Sequence, residues 1–271
     1  MKKNLLLIFV LFGLSIHTNA SVDTILVYSK KMSKHIKTVV INPDKNKKLP
    51  VIYLLHGHGA NYAQWLKDAP QLVEKATETG SILVMPDGGY NSWYFDSPID
   101  SSVRYEAFIT KELIPFIDSA YATKANRNYR AITGLSMGGH GAFYLAIKHK
   151  DLFVAAGSIC GGLDIRPFPN NWQISKVLGS IDTNSRNWEK NTVINIIDSL
   201  KNNELQLIFD CGFDDFFLPV NRAVHEKLLA AKIKHDYIER SGTHNAAYWK
   251  NSIDYQLLFF RKQFSTNPIT Q

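Results

Sequence analysis

The sequence predicts an α/β fold in one domain, with a mostly parallel central sheet covered by helices on both faces. Two observations carry that expectation. Short runs rich in β-branched and apolar residues alternate with longer stretches whose apolar residues recur at three- and four-residue spacing, the rhythm of strand–helix–strand units. The central apolar runs have no polar alternation, as expected of strands buried on both faces. No internal repeat or low-complexity segment interrupts this pattern.

The chain has 271 residues and a formal net charge of +7. Met1, Lys2 and Lys3 followed by an apolar run over 5–16 have the charge and length of a secretory signal, and Thr18-Asn19-Ala20 supplies small residues at a cleavage site. We expect residues 1–20 to be a leader, 21–264 the folded domain and 265–271 a disordered tail. A secreted or periplasmic location follows from the leader. No cysteine follows the apolar run and no later segment is apolar for long enough to span a bilayer, so neither a lipid anchor nor stable membrane insertion is expected. Without Lys2 and Lys3 the charge falls from +7 to +5, and the remaining basic residues are scattered. That distribution reads as an ordinary solvated surface, though it would also suit an anionic polymer such as an acidic polysaccharide, and no nucleic-acid partner is expected.

Strands are expected at 24–28, 37–41, 51–55, 81–85, 129–133, 154–160, 205–210 and 237–239, the first two forming an antiparallel edge. Helices should begin near Gln71, Val103, Met137, Thr192, Pro219 and Ala246. Residues 161–191, rich in Asn, Pro and Trp with little periodicity, read as a long excursion over the active face. Cys160 and Cys211 each end an apolar run. A bridge between adjacent parallel strands is geometrically awkward, so two buried free thiols are expected.

The strongest local motif is Gly134-Leu135-Ser136-Met137-Gly138, placed after the strand ending at Thr133 and before the helical run from Gly141. A serine raised above the end of a sheet needs a tight, strained turn with little side-chain bulk on either side, which G-x-S-x-G between strand and helix supplies. Serine needs a base to ionise at neutral pH. His244 is the candidate, in the Ser241-Gly242-Thr243-His244-Asn245 loop between the last strand and last helix, whereas His35, His149, His225 and His235 read as surface. The orienting carboxylate should follow the strand 205–210, where Asp214 and Asp215 both qualify. We choose Asp215 for its reach, with Asp210 bracing the loop and Asp214 capping a turn. Amides for an oxyanion are expected from Met137 and from the loop His56-Gly57-His58-Gly59, with Gly57 and His58 as the candidates there. Trp93, Tyr94, Trp172 and Trp188 are candidate pocket walls able to stack on a sugar or phenolic ring.

These motifs resemble the esterase D-like branch of the α/β-hydrolases. That branch includes S-formylglutathione hydrolases, feruloyl and acetylxylan esterases of carbohydrate esterase family one, and mycolyltransferases. Tyr53-Leu54-Leu55-His56-Gly57 resembles the family's oxyanion strand, and Gly134 to Gly141 its nucleophile elbow. Cys211-Gly212-Phe213-Asp214-Asp215 resembles its acid loop, and Gly242-Thr243-His244 with Trp249 its histidine loop. The resemblance implies the α/β-hydrolase fold, Asp215 as the acid at the end of G-x-x-D, and His58 as the second oxyanion residue. It also implies an ester substrate such as an acylated polysaccharide or oligosaccharide, with no metal or cofactor. An acyltransferase using the same serine, an S-formylglutathione hydrolase-like thioesterase and a non-catalytic binding protein are the competing readings. The leader departs from S-formylglutathione hydrolase, a cytoplasmic enzyme.

Overall fold

A computed structural model describes residues 20–266. All of the expected leader except Ala20, and the tail from 267 onward, lie outside the described residues. Eight strands form one sheet: β1 (Ser21–Ser29), β2 (Lys34–Asn42), β3 (Val51–Leu55), β4 (Ile82–Pro86), β5 (Arg130–Gly134), β6 (Ala155–Ile159), β7 (Gln206–Gly212) and β8 (Asp236–Arg240). Their order is β1-β2-β4-β3-β5-β6-β7-β8. β1 and β2 form the expected antiparallel edge, β2 meets β4 antiparallel, and every other pairing is parallel. Every residue of β3, β4, β5 and β6 is buried, which is why these strands lack polar alternation.

Helices α1 (Gln64–Asp68) and α2 (Leu72–Thr79) separate β3 from β4. A continuous helical run then comprises α3 (Tyr105–Ala107), a π-helical segment Phe108–Leu113 and α4 (Ile114–Ala120). α5 (Met137–Lys148) follows β5. Between β6 and β7 lie α6 (Ile174–Leu178), α7 (Ile181–Asn191) and α8 (Val193–Ile196), then α9 (Leu218–Ala230) and α10 (Ala246–Ser265) complete the chain. In β6, Gly157 packs against Gln256 of α10 while its neighbour Ser158 packs against Gly139 of α5. Adjacent strand residues point to opposite faces, so α5 and α10 cover the two sides of the sheet.

The region 161–191 differs from the excursion read in the sequence: much of it is helical, in α6 and α7. Its helices are short and are fixed by tertiary contacts. Ile174, Val177 and Leu178 are buried, and Trp188 is fully enclosed with its indole N–H donated to Gly179 O at 2.9 Å. The last helix runs to Ser265, one residue beyond the expected end of the domain. Among the described residues no helix is long and apolar enough to cross a membrane.

Glu106 in α3 ties this frame to α5. Its carboxylate accepts from Tyr144 Oη at 2.6 Å and Lys148 Nζ at 2.8 Å, and lies 2.9 Å from His149 Nε2. Burial opposes ionisation, but the hydrogen bonds from His149, Lys148 and Tyr144 win and lower its pKa from 4.5 to about 2. A depressed carboxylate stabilises the fold fully above its unfolded pKa and ceases to do so as pH falls through the folded value; this shift is worth up to about 3 kcal/mol. Glu106→Gln should therefore lower the melting temperature at neutral pH, and the gap to wild type should close between about pH 4.5 and 2. Parallel melting curves at all pH values would refute this linkage.

Candidate active site

The C-terminal ends of the parallel strands converge on one edge of the sheet, where open α/β folds place their ligands. β5 ends in the elbow. Ser136 has φ 56° and ψ −117°, a costly conformation for a residue with a side chain. It is held there by its own N–H, donated to Ile159 O at 2.9 Å, and by the N–H of Gly138 donated to Leu135 O at 2.7 Å. The elbow passes so close to β3 that a Cβ on Gly138 would lie 2.3 Å from Leu55 O. Met137 is the first residue of α5, where backbone N–H groups precede the intrahelical ladder and favour negative charge.

β7 and β8 end in two loops stitched together by backbone. Phe213 N donates to Arg240 O at 2.8 Å and Asp214 N to Gly242 O at 3.0 Å. The result brings three side chains into line. His244 Nε2 lies 2.9 Å from Ser136 Oγ, and His244 Nδ1 lies 2.7 Å from Asp215 Oδ2. The other Asp215 oxygen accepts from Phe217 N at 2.8 Å. Asp214 is exposed, and Asp210 is buried against Ser252, Gln256 and Arg240, so it anchors α10 and β8 to β7. Burial alone would lower the His244 pKa, but the hydrogen bond to Asp215 outweighs it and raises it. In its neutral form, with the proton on Nδ1 against Asp215, the ring turns an Nε2 lone pair to the serine hydroxyl.

Of the other histidines, His35 is exposed as expected. His149, His225 and His235 are half-buried rather than on the surface: His149 pairs with Glu106, and His225 Nδ1 lies 2.7 Å from His235 Nε2.

The loop after β3 is fixed by His56, whose Nδ1 donates to Gly57 O at 2.8 Å and whose Nε2 accepts from Gly88 N at 2.7 Å. Gly57 corrects the sequence reading. Its amide is donated to Gln64 Oε1 at 2.8 Å, so it is not free for an oxyanion. Its Cα instead packs against Leu135 and Ser136. That leaves the His58 amide, on a half-buried residue whose ring meets Tyr90 edge-on at 4.9 Å.

The four candidate wall residues separate. Trp172 is half-buried and stacks on Phe216 at 5.5 Å, and the Phe216 ring lies 4.4 Å from that of His244. Trp93 is buried beneath Trp172, edge-on to His140. Tyr94 is buried as a brace, its hydroxyl donated to His56 O at 3.1 Å. Trp188 belongs to the core under α6 and α7. Neither Tyr94 nor Trp188 is exposed to a ligand. The sequence reading missed Phe216, Gln64 and Tyr90; the pair Phe216-Phe217 directly after the acid was the available signal.

The fold, an eight-stranded, mostly parallel sheet with helices on both faces, is that of the α/β-hydrolase esterases. The chain belongs to the Esterase family, whose model matches residues 29–260. The acetyl esterase of Caldicellulosiruptor saccharolyticus is 27% identical over 249 residues, covering 83% of this chain and 92% of that protein. A ferulic acid esterase of known structure superposes with a TM-score of 0.78 at 27% identity, over 91% of this chain and 99% of that one. An S-formylglutathione hydrolase from Agrobacterium tumefaciens superposes with a TM-score of 0.80 over 93% of this chain and 99% of that one; at 18% identity this is a likeness of fold. The protein is a carboxylic-ester hydrolase.

Proposed function

We propose that the chain is an exported serine carboxylesterase in which Ser136 is the nucleophile, His244 the general base and Asp215 the residue that orients the histidine. The domain runs over 21–265, one residue past the expected end, and residues 1–20 direct it out of the cytoplasm. The observation that carries this reading is the unbroken line from Ser136 Oγ to His244 at 2.9 Å and on to Asp215 at 2.7 Å. Ser136 Oγ attacks the ester carbonyl as His244 takes its proton. The amides of Met137 and His58 receive the oxyanion, His244 returns the proton to the departing alcohol, and water repeats the sequence to free the acid.

The substrate we propose is an acylated carbohydrate carrying a feruloyl or acetyl group, or a small ester. Two kinds of observation support it: the names of the acetyl esterase and ferulic acid esterase relatives, and the aromatic wall of Trp172 and Phe216 beside His244, a surface on which a phenolic or sugar ring can stack.

The test is turnover of p-nitrophenyl acetate, methyl ferulate, acetylated xylan and S-formylglutathione by the mature protein, with Ser136→Ala alongside. A fluorophosphonate probe should label wild type and leave Ser136→Ala unlabelled, with turnover lost in the variant. Wild-type turnover by Ser136→Ala would refute the nucleophile. Preferential transfer of the acyl group to an added alcohol rather than to water would make the protein an acyltransferase.

A further inference from the structure

Among the described residues, one group of three side chains has metal-ligating donors close enough to share an ion. These are Cys160, Asp215 and His244, whose donor atoms all lie within 4.8 Å of one another. Two of the three belong to the proposed catalytic line, while the thiol has no part in the proton path. Cys160 is the first residue beyond β6, and its φ of 45° turns the chain away from the strand. Its amide is pinned to β7 by a 2.8 Å hydrogen bond to Asp210 O. The side chain is fully buried, with its Sγ within 4.8 Å of donor atoms of His244 and Asp215.

We propose that Cys160, Asp215 and His244 form an inhibitory site for a thiophilic divalent cation of the Zn2+ class, whose binding switches the esterase off. The donor set is one sulfur, one imidazole nitrogen and one carboxylate oxygen, which is zinc chemistry; magnesium and calcium prefer shells of oxygen alone. Donors around a tetrahedral zinc, with bonds of roughly 2.0 to 2.3 Å, stand roughly 3.5 Å apart, so modest side-chain rotations close the site. A fourth position remains for water.

The proton balance is simple. Cys160 is a free cysteine in the enzyme, its thiol carrying a proton on Sγ. The cation forms the S–M bond and releases that proton to solvent, and an imidazolium at His244 releases one more. Either mode of histidine ligation stops catalysis. Coordination through Nε2 consumes the lone pair that faces Ser136; coordination through Nδ1 puts the remaining ring proton on Nε2, leaving a donor where a base is required.

The inhibition rests on the serine-hydrolase reading, but the binding does not, so the experiment reads both. Purified protein freed of metal by chelation is titrated with Zn2+ while p-nitrophenyl acetate turnover is followed. Separately, the inactive Ser136→Ala protein is titrated with Co2+ and the thiolate-to-cobalt charge-transfer absorption is recorded. Zn2+ should inhibit reversibly, with recovery on adding EDTA, and Mg2+ should not. Cys160→Ser and Cys160→Ala, each compared with its own metal-free rate, should raise the half-inhibitory Zn2+ concentration at least about tenfold, a loss typical even of partners one step removed from a metal. The cobalt band should vanish when Cys160→Ser is added to the Ser136→Ala background and persist with Cys211→Ser. Equal Zn2+ sensitivity in wild type and both Cys160 variants, or a cobalt band that follows Cys211, would overturn the site. If wild type shows no serine-dependent turnover, the esterase mechanism fails while the cobalt band still decides the binding.

Discussion

Asp215→Asn should lower kcat by about 10⁴-fold, the loss seen when the orienting carboxylate of such a triad becomes an amide. The fold should survive. The asparagine carbonyl can still accept from Phe217 N, a bond now made by Asp215 Oδ1 at 2.8 Å. What is lost lies on the other oxygen. Asp215 Oδ2 meets His244 Nδ1 at 2.7 Å, and in the proposed mechanism its charge fixes the proton on Nδ1 and offsets the imidazolium formed when Ser136 is deprotonated. An amide supplies no charge, and its NH2 turned toward Nδ1 selects the wrong tautomer. Asp214→Asn is the matched control, because Asp214 is exposed and joins the site only through its backbone N–H to Gly242 O. Its kcat should stay within about threefold of wild type, as expected of a surface change. Measuring kcat, KM and melting temperature for both variants checks the assignment. Equal loss in Asp214→Asn, or wild-type kcat in Asp215→Asn, would remove Asp215 from its proposed role.

The neighbouring positions also explain how much of this protein was legible in its sequence. Every expected strand is present, because a strand buried on both faces is built mostly from apolar residues, as in Val51-Ile52-Tyr53-Leu54-Leu55. The elbow was legible because its steric demands are local, a strand followed by small residues and a helix. Asp215 and His244 were proposed as acid and base from chain order, loop position and the family resemblance, whereas their mutual distance comes from the pairing of the β7 and β8 loops, which no short-range pattern encodes. The helices α6 and α7 were not legible. They are short, 5 and 11 residues, too brief for a long periodic face, and Asn184 breaks the helical conformation within α7. Side-chain direction was equally hidden. Trp172 and Trp188 sit in the same segment, yet one is half-buried and stacked on Phe216, the neighbour of His244, and the other is sealed in the core. The Gly57 amide was diverted by Gln64, seven residues away, a contact that depends on how α1 packs back onto the loop.

Gly138→Ala is the second change with a large expected effect, through contact rather than charge. The added methyl group would sit 2.3 Å from Leu55 O, 2.6 Å from Leu55 C and 2.7 Å from His56 O. All three are backbone atoms at the end of a buried strand, so no side chain can rotate away. Either α5 or the end of β3 must move. Overpacking of this kind costs on the order of 3 kcal/mol. The same movement separates the amides of Met137 and His58, which flank Gly138 and follow Leu55 respectively. Among molecules that remain folded, loss of one oxyanion donor should lower kcat by about 10² to 10³. Gly80→Ala separates this steric effect from a general glycine effect. Gly80 ends α2 with φ 59° and has no atom within 4 Å of an added Cβ. That change should cost only the strain of a left-handed alanine, about 1 kcal/mol, and leave kcat unaltered. Thermal melts and turnover of p-nitrophenyl acetate distinguish the two. A Gly138→Ala protein with wild-type melting temperature and kcat would mean that the close approach of the elbow to β3 does not set the oxyanion geometry.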